Sequence, residues 1–156
     1  MSNFVYCVKN SESIRMLPQK IRVLIADDHS LVRKSIRALL ESQGDIEVVA
    51  TAVNGQEAIS FAQDYTPDII VMDVSMPQID GIHATERIRQ PNLATQVIIL
   101  SMHVNAVLVK QAVKKGASGY ILKQHASNEL LQAIRAVREG KTYLSPAIPP
   151  AYLPSN

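Results

Sequence analysis

Four consecutive apolar residues, Ile69-Ile70-Val71-Met72, stand between Asp68 and Asp73, and they restrict this chain more than any other stretch. A strand with one wet face alternates, whereas a continuous apolar strand is buried on both faces, as in the centre of a parallel sheet. Turn signals follow at Met76-Pro77 and Asp80-Gly81. Asp73 therefore falls at the carboxyl end of a central strand, the edge where open α/β sheets hold their ligands.

The flanking segments supply the rest of such a sheet. Val23-Leu24-Ile25 mark a first strand over Ile21–Ala26, which runs into Asp27-Asp28-His29-Ser30. Val32, Ile36, Leu39 and Leu40 recur at helical spacing, with Arg33, Lys34 and Arg37 on the other side. That spacing predicts an amphipathic helix capped near Gly44. A second strand covers Ile46–Val53 and closes at the Asn54-Gly55 turn pair. A helix over Glu57–Tyr65 then ends at Thr66-Pro67, because a residue before proline disfavours helix. After the Asp73 strand, a short helix over His83–Arg89 is broken by Pro91 and Asn92. Val97–Ser101 is a fourth strand with a hydroxyl at its end, and Val104–Lys115 a helix stopped by Gly116. Gly119–Lys123 is the fifth strand, followed by a last helix over Asn128–Glu139 that Gly140 stops.

Five strands alternating with five helices on short connections imply βαβ units, right-handed crossovers and a parallel sheet covered on both faces. Residues 1–20 show no clear period and read as an extension. The stretch from Ser145 holds four prolines and no period, so it reads as a linker or a disordered end.

Composition narrows the function classes. A formal charge of +2 over 156 residues is too small for a nucleic-acid footprint. Cys7 is the single cysteine, which excludes an internal disulfide and fits a reducing compartment. No apolar run approaches the ~20 residues of a membrane span, and Phe4–Val8 is too short for a secretory signal. A soluble cytoplasmic protein is the default expectation.

The chemistry gathers at the strand ends. The first strand brings Asp27 and Asp28, the third Asp73, the fourth Ser101 and the fifth Lys123. In a parallel sheet these side chains meet on one edge. Three carboxylates in one pocket repel each other, and a hard divalent cation with oxygen ligands, Mg2+ above all, relieves them. With a hydroxyl and an ammonium beside them, they suit phosphoryl transfer to a carboxylate. Each residue alone reads as an ordinary turn, cap or surface group; the specificity lies in their joint order. His29 and His103 border this edge; surface-loop histidines are the first reading, and a modulating role in loss of the phosphoryl group is the other.

At this point the chain resembles a known family. Ala26-Asp27-Asp28-His29, Val71-Met72-Asp73-Val74-Ser75-Met76-Pro77, Ile99-Leu100-Ser101-Met102-His103 and Gly119-Tyr120-Ile121-Leu122-Lys123 resemble the receiver domain of two-component response regulators. Gly116–Lys123, Glu129-Leu130, Ala133-Ile134-Arg135 and Tyr143-Leu144-Ser145-Pro146 are similar to the NarL/FixJ (LuxR-type) subfamily. The resemblance implies a doubly wound, flavodoxin-like fold with strand order 2-1-3-4-5. It divides the chain into an extension (1–20), a receiver (21–140) and a linker or tail (141–156).

The resemblance also implies roles. Asp73 would be the phospho-acceptor, supplied by a phosphohistidine on a sensor histidine kinase. Asp28, Asp73 and the Ser75 backbone carbonyl would bind Mg2+ directly, and Asp27 through water. Lys123 would contact the acyl phosphate. Ser101 would swing towards it, and Tyr120 would turn into the space left. From the residues themselves, the Arg33, Lys34 and Arg37 cluster reads equally as a kinase contact or as an ordinary solvated face, and the helix over Val104–Lys115, apolar over more than one stripe, as a candidate contact for a second receiver or an effector domain.

Two departures stand out. Gln124 follows Lys123 where many receivers have proline. Relatives of this type continue into a helix-turn-helix domain, which Ala147–Asn156 cannot supply, so DNA contact is expected only through a further domain. A stand-alone receiver acting through protein contacts is an alternative. A haloacid-dehalogenase-type phosphatase is another, though Ser75 stands where that chemistry wants a second acid.

Overall fold

The computed structural model describes residues 4–10, 13–92 and 94–154, with side chains from residue 19 onward, which leaves the reading of the Cys7 thiol outside the described residues. The chain begins with β1 (Phe4–Asn10) and β2 (Ser13–Pro18), an antiparallel pair forming a sheet of their own. The sequence shows no strand period here, yet the run Phe4–Val8 is made of residue types that favour extended backbone.

The main unit follows in order: β3 (Ile21–Ala26), α1 (Ser30–Glu41), β4 (Ile46–Ala52), α2 (Gly55–Tyr65), β5 (Ile69–Asp73), α3 (Gly81–Arg89), β6 (Gln96–Ser101), α4 (Ala106–Lys114), β7 (Gly119–Leu122), α5 (Ala126–Arg138) and β8 (Tyr143–Leu144). The second sheet has the order β4-β3-β5-β6-β7-β8, and its pairings are parallel. The five expected strands are β3 to β7, in the expected order 2-1-3-4-5. A sixth strand, β8, extends that count among the described residues.

Period-2 alternation within the buried strands divides the core. Val23, Ile25, Val71 and Ile121 face α1 and α5, while Leu24, Ala26, Ile70, Met72 and Tyr120 face α2, α3 and α4. All five residues of β5 are buried, as the apolar run requires.

Local chemistry sets the helix starts. Asn54 Oδ1 accepts from Glu57 N and Asp80 Oδ1 from His83 N, while Asn105 Oδ1 accepts from Val107 N and Leu108 N. Asn54-Gly55 is thus a helix N-cap rather than a free turn. Gly116 and Gly140 follow α4 and α5 with φ of +106° and +85°, left-handed ends that glycine takes without a Cβ clash. Gly44 differs from the expectation. The helix stops at Glu41 with Ser42 as its cap, where Ser42 N donates to Ala38 O and Ser42 Oγ to Leu39 O.

The tail also differs from its reading as a linker or disordered end. Tyr143 N donates to Ser118 O and Ser145 N to Tyr120 O, so β8 continues the sheet. Ser145 and Ile148 are buried, and Tyr152 packs against the core on the α4 side. Proline density made this segment look unstructured, but the amides it retains find partners, Ser145 N on Tyr120 O of β7 and those of Ile148, Tyr152 and Leu153 within the segment itself.

Candidate functional site

The doubly wound order reverses between β3 and β5, and the site lies at their carboxyl ends, beside those of β6 and β7. Asp27 follows β3 and Asp73 ends β5; both are almost fully buried, at 1% and 2% exposure. Asp28 is exposed beside them. Lys123 opens a single 3-10 turn over Lys123–His125, directly after β7. Its Nζ lies 2.7 Å from Asp27 Oδ2 and 3.2 Å from Asp73 Oδ2. Neither of these buried oxygens receives a hydrogen bond of normal alignment, and the close approach of the Lys123 ammonium is what holds both.

Burial pushes the Asp73 carboxyl above its ordinary value; the nearby Asp27 charge pushes the same way, and Lys123 opposes both. Burial works against the Lys123 charge, yet the close contact with Asp27 and the two carboxylate charges hold its ammonium above the ordinary value.

Gly81 sets the distance between β5 and α3. A Cβ there would stand 2.1 Å from the Asp73 carbonyl oxygen, so only glycine lets the helix begin against the end of the strand. The loop between them is tied by Gly81 N to Val74 O, and Ser75 N reaches Asp73 Oδ1 at 3.4 Å.

Oxygen atoms of Asp27, Asp28 and Asp73 and a ring nitrogen of His29 lie within 4.8 Å of one another. The three carboxylates of this set, two of them with a buried oxygen lacking a donor, fit a hard divalent cation. His29 is an exposed loop residue, as its sequence reading has it, and it also borders the acids. Its Nδ1 is 3.1 Å from both Asp27 and Asp28, and its backbone N donates to Asp27 Oδ1. Arg33 likewise leaves the solvated face, donating from Nη1 to Asp27 O at 2.7 Å. Arg37 pairs instead with Glu41. Helical spacing placed both arginines on one face; only the turn geometry at Asp27 distinguishes them.

Ser101 and Tyr120 sit behind the carboxylates. Ser101 is buried, with its Oγ accepting from His103 N and donating to His103 O, both at 3.2 Å. It is thus bonded to its own loop rather than to Asp73. The Tyr120 ring is fully buried, and burial lifts its phenol above the ordinary value against the opposing influence of Ser101. On α4, Val109 and Ala112 are buried and Leu108 and Val113 half-buried, while Val107 remains 62% exposed.

Among the described residues, no helix is long and apolar enough to cross a membrane.

These features coincide with a known family. The profile of the response regulator receiver domain matches residues 23–135. The chain is 36% identical over 129 residues to the transcriptional regulatory protein DegU of Brevibacillus brevis, covering 83% of this chain and 55% of that protein. It is 41% identical over 125 residues to the oxygen regulatory protein NreC of Staphylococcus aureus, covering 80% of this chain and 58% of that one. The chain therefore spans a little over half the length of these relatives.

Among solved structures, a LuxR-family two-component response regulator from Aurantimonas sp. SI85-9A1 aligns with TM-score 0.80 at 39% identity, over 83% of this chain and 93% of that one. The receiver domain of a NarL regulator from Mycobacterium tuberculosis aligns with TM-score 0.76 at 32% identity, over 80% of this chain and all of that one. With the profile covering most of the chain, and strand ends carrying Asp27, Asp73, Ser101 and Lys123, this chain belongs to the receiver domains of two-component response regulators, in their NarL/LuxR group.

Proposed function

We propose that Asp73 accepts a phosphoryl group from the phosphohistidine of a sensor histidine kinase in the cytoplasm. The observation that carries this reading is a buried, undonated Asp73 oxygen facing Lys123 at 3.2 Å at the switch point of the sheet. An Asp73 oxygen attacks phosphorus, the P–N bond breaks, and its electron pair stays on the imidazole nitrogen. The product is an acyl phosphate. Lys123 shifts from the carboxylates to the new phosphoryl oxygens, keeping its charge paired. Asp28, Asp73 and the Ser75 carbonyl, with Asp27 through water, would hold Mg2+, which supplies positive charge beside the transferring group. Water later attacks phosphorus, breaks the P–O bond to the carboxylate and restores Asp73. This is a switch rather than a turnover enzyme, since Ser75 offers no second acid two residues after the acceptor.

The switch works by differential contact. Ser101 leaves the His103 backbone for the phosphoryl oxygens, and the packing around Tyr120 readjusts. Leu31, 75% exposed, and the groove that Val32, Leu39, Gln124 and Ser127 line beside Lys123 offer a kinase helix an apolar seat. The exposed Met102, Val104 and Val107 offer a contact to a second receiver or to an effector. The output we infer, from relatives named as transcriptional regulators and as LuxR-family, is control of a DNA-binding helix-turn-helix domain.

Acetyl phosphate with Mg2+ should add the mass of one phosphoryl group to the native protein and none to Asp73→Ala. Repeated turnover of a phosphate monoester, or labelling that survives Asp73→Ala, would overturn this reading.

A further inference from the structure

Residues 143–152 form a strap across the edge of the sheet, and one side chain fastens it. Glu129, in the first turn of α5, accepts from Tyr143 Oη at 3.2 Å with Oε1 and from Ser145 Oγ at 3.0 Å with Oε2. An acid in the first turn is also favoured by the helix dipole. His125 Nδ1 lies 3.4 Å from that same Oε2. His125 ends the 3-10 turn that Lys123 begins and is the N-cap of α5. Lys123 and Glu129 are therefore six residues apart, in a 3-10 turn and the helix that directly follows it, with His125 at the junction.

From Glu129 the strap passes from one face of the sheet to the other. Tyr143 packs on the α5 side, Leu144 on the α4 side, and Ile148 is buried in the α4-side core. Its backbone is anchored by Ser145 N to Tyr120 O and by Ile148 N to Ser145 O, both 2.9 Å. One carboxylate thus meets the Lys123 turn and two strap hydroxyls, while the strap meets Tyr120.

We propose that Glu129 is a positioning residue that latches the strap and couples its docking to the placement of Lys123. Reorganising the Lys123–His125 turn displaces the carboxylate that both hydroxyls share. By reciprocity, opening the strap loosens Lys123 at the site. The coupling belongs to the unmodified protein, so it is measured without phosphorylation and stands apart from the acceptor role of Asp73.

Hydrogen exchange on the whole chain tests it. Glu129→Ala should speed exchange at the Ser145 and Ile148 amides by about tenfold or more, since it removes two bonds to a charged acceptor. Amides of Leu130 and Ile134 should be unchanged. Lys123→Ala should speed the strap amides by about fivefold in the native background and not further in Glu129→Ala, the pattern of a coupled pair. Tyr143→Phe, which removes one hydroxyl, should give a smaller acceleration and can replace Glu129→Ala in this cycle if that variant folds poorly. Unchanged strap exchange in Glu129→Ala and Tyr143→Phe overturns the latch. A Lys123→Ala effect of equal size in both backgrounds overturns the coupling.

Discussion

Asp73 carries a charge in a place that disfavours it. Burial and Asp27 raise its carboxyl, so the folded state holds that proton more tightly than the unfolded chain does. A raised folded value means that stability declines as pH climbs from the ordinary 3.8 through the raised value, and the loss is complete above it. Without metal, Asp73→Asn should therefore melt a few degrees above the native protein at neutral pH. That gap should shrink as pH approaches the ordinary carboxylate value. Adding Mg2+ should raise the melting temperature of the native protein more than that of the variant. Calorimetry across pH checks both; a native protein more stable than Asp73→Asn at neutral pH without metal would make the carboxylate a structural partner of Lys123. The sequence made Asp27, Asp73, Ser101 and Lys123 legible because each ends an apolar run of fixed direction. The Ser101 bond to His103 and the approach of His29 to two acids were not legible, because they depend on backbone angles inside short loops.

At the scale of elements, the start of α3 fixes the end of β5. Gly81→Ala would force its Cβ into the Asp73 carbonyl, so strand and helix must part. The expected loss is about 1–3 kcal/mol, the range for overpacking a closed contact. It is read as a lower urea midpoint and accompanied by slower labelling from acetyl phosphate. An unchanged midpoint would show that the loop yields freely. Strand positions were legible because Val23–Ile25, Ile69–Met72 and Val97–Leu100 are continuous apolar runs. Helix ends were less so. Gly44 looked like a cap by composition, but Ser42 satisfies the last carbonyls of α1 first, which no residue pattern reveals.

The whole molecule extends past the last helix. Ile148 is only 2% exposed, so Ile148→Ala should cost about 2–5 kcal/mol in a denaturant titration, as for other fully buried isoleucines. No measurable cost would return this segment to the class of linkers. Its docking was illegible because β8 is too short to show a period, and its partners on β7 lie 24 positions earlier in the chain (Gly119 with Tyr143). The strap also decides what the sheet offers to other chains. Without β8, the apolar Gly119–Leu122 strand would present a row of open amides and carbonyls, the template on which intermolecular strands add and aggregates grow. With it, the Gly119–Tyr120 half of that strand is paired, and the outermost strand on this side is only two residues long, with Pro146, which has no amide hydrogen to give, two residues beyond it. The segment that closes over Tyr120 thereby also blunts this side of the sheet against edge-to-edge association, while β4 forms the opposite edge.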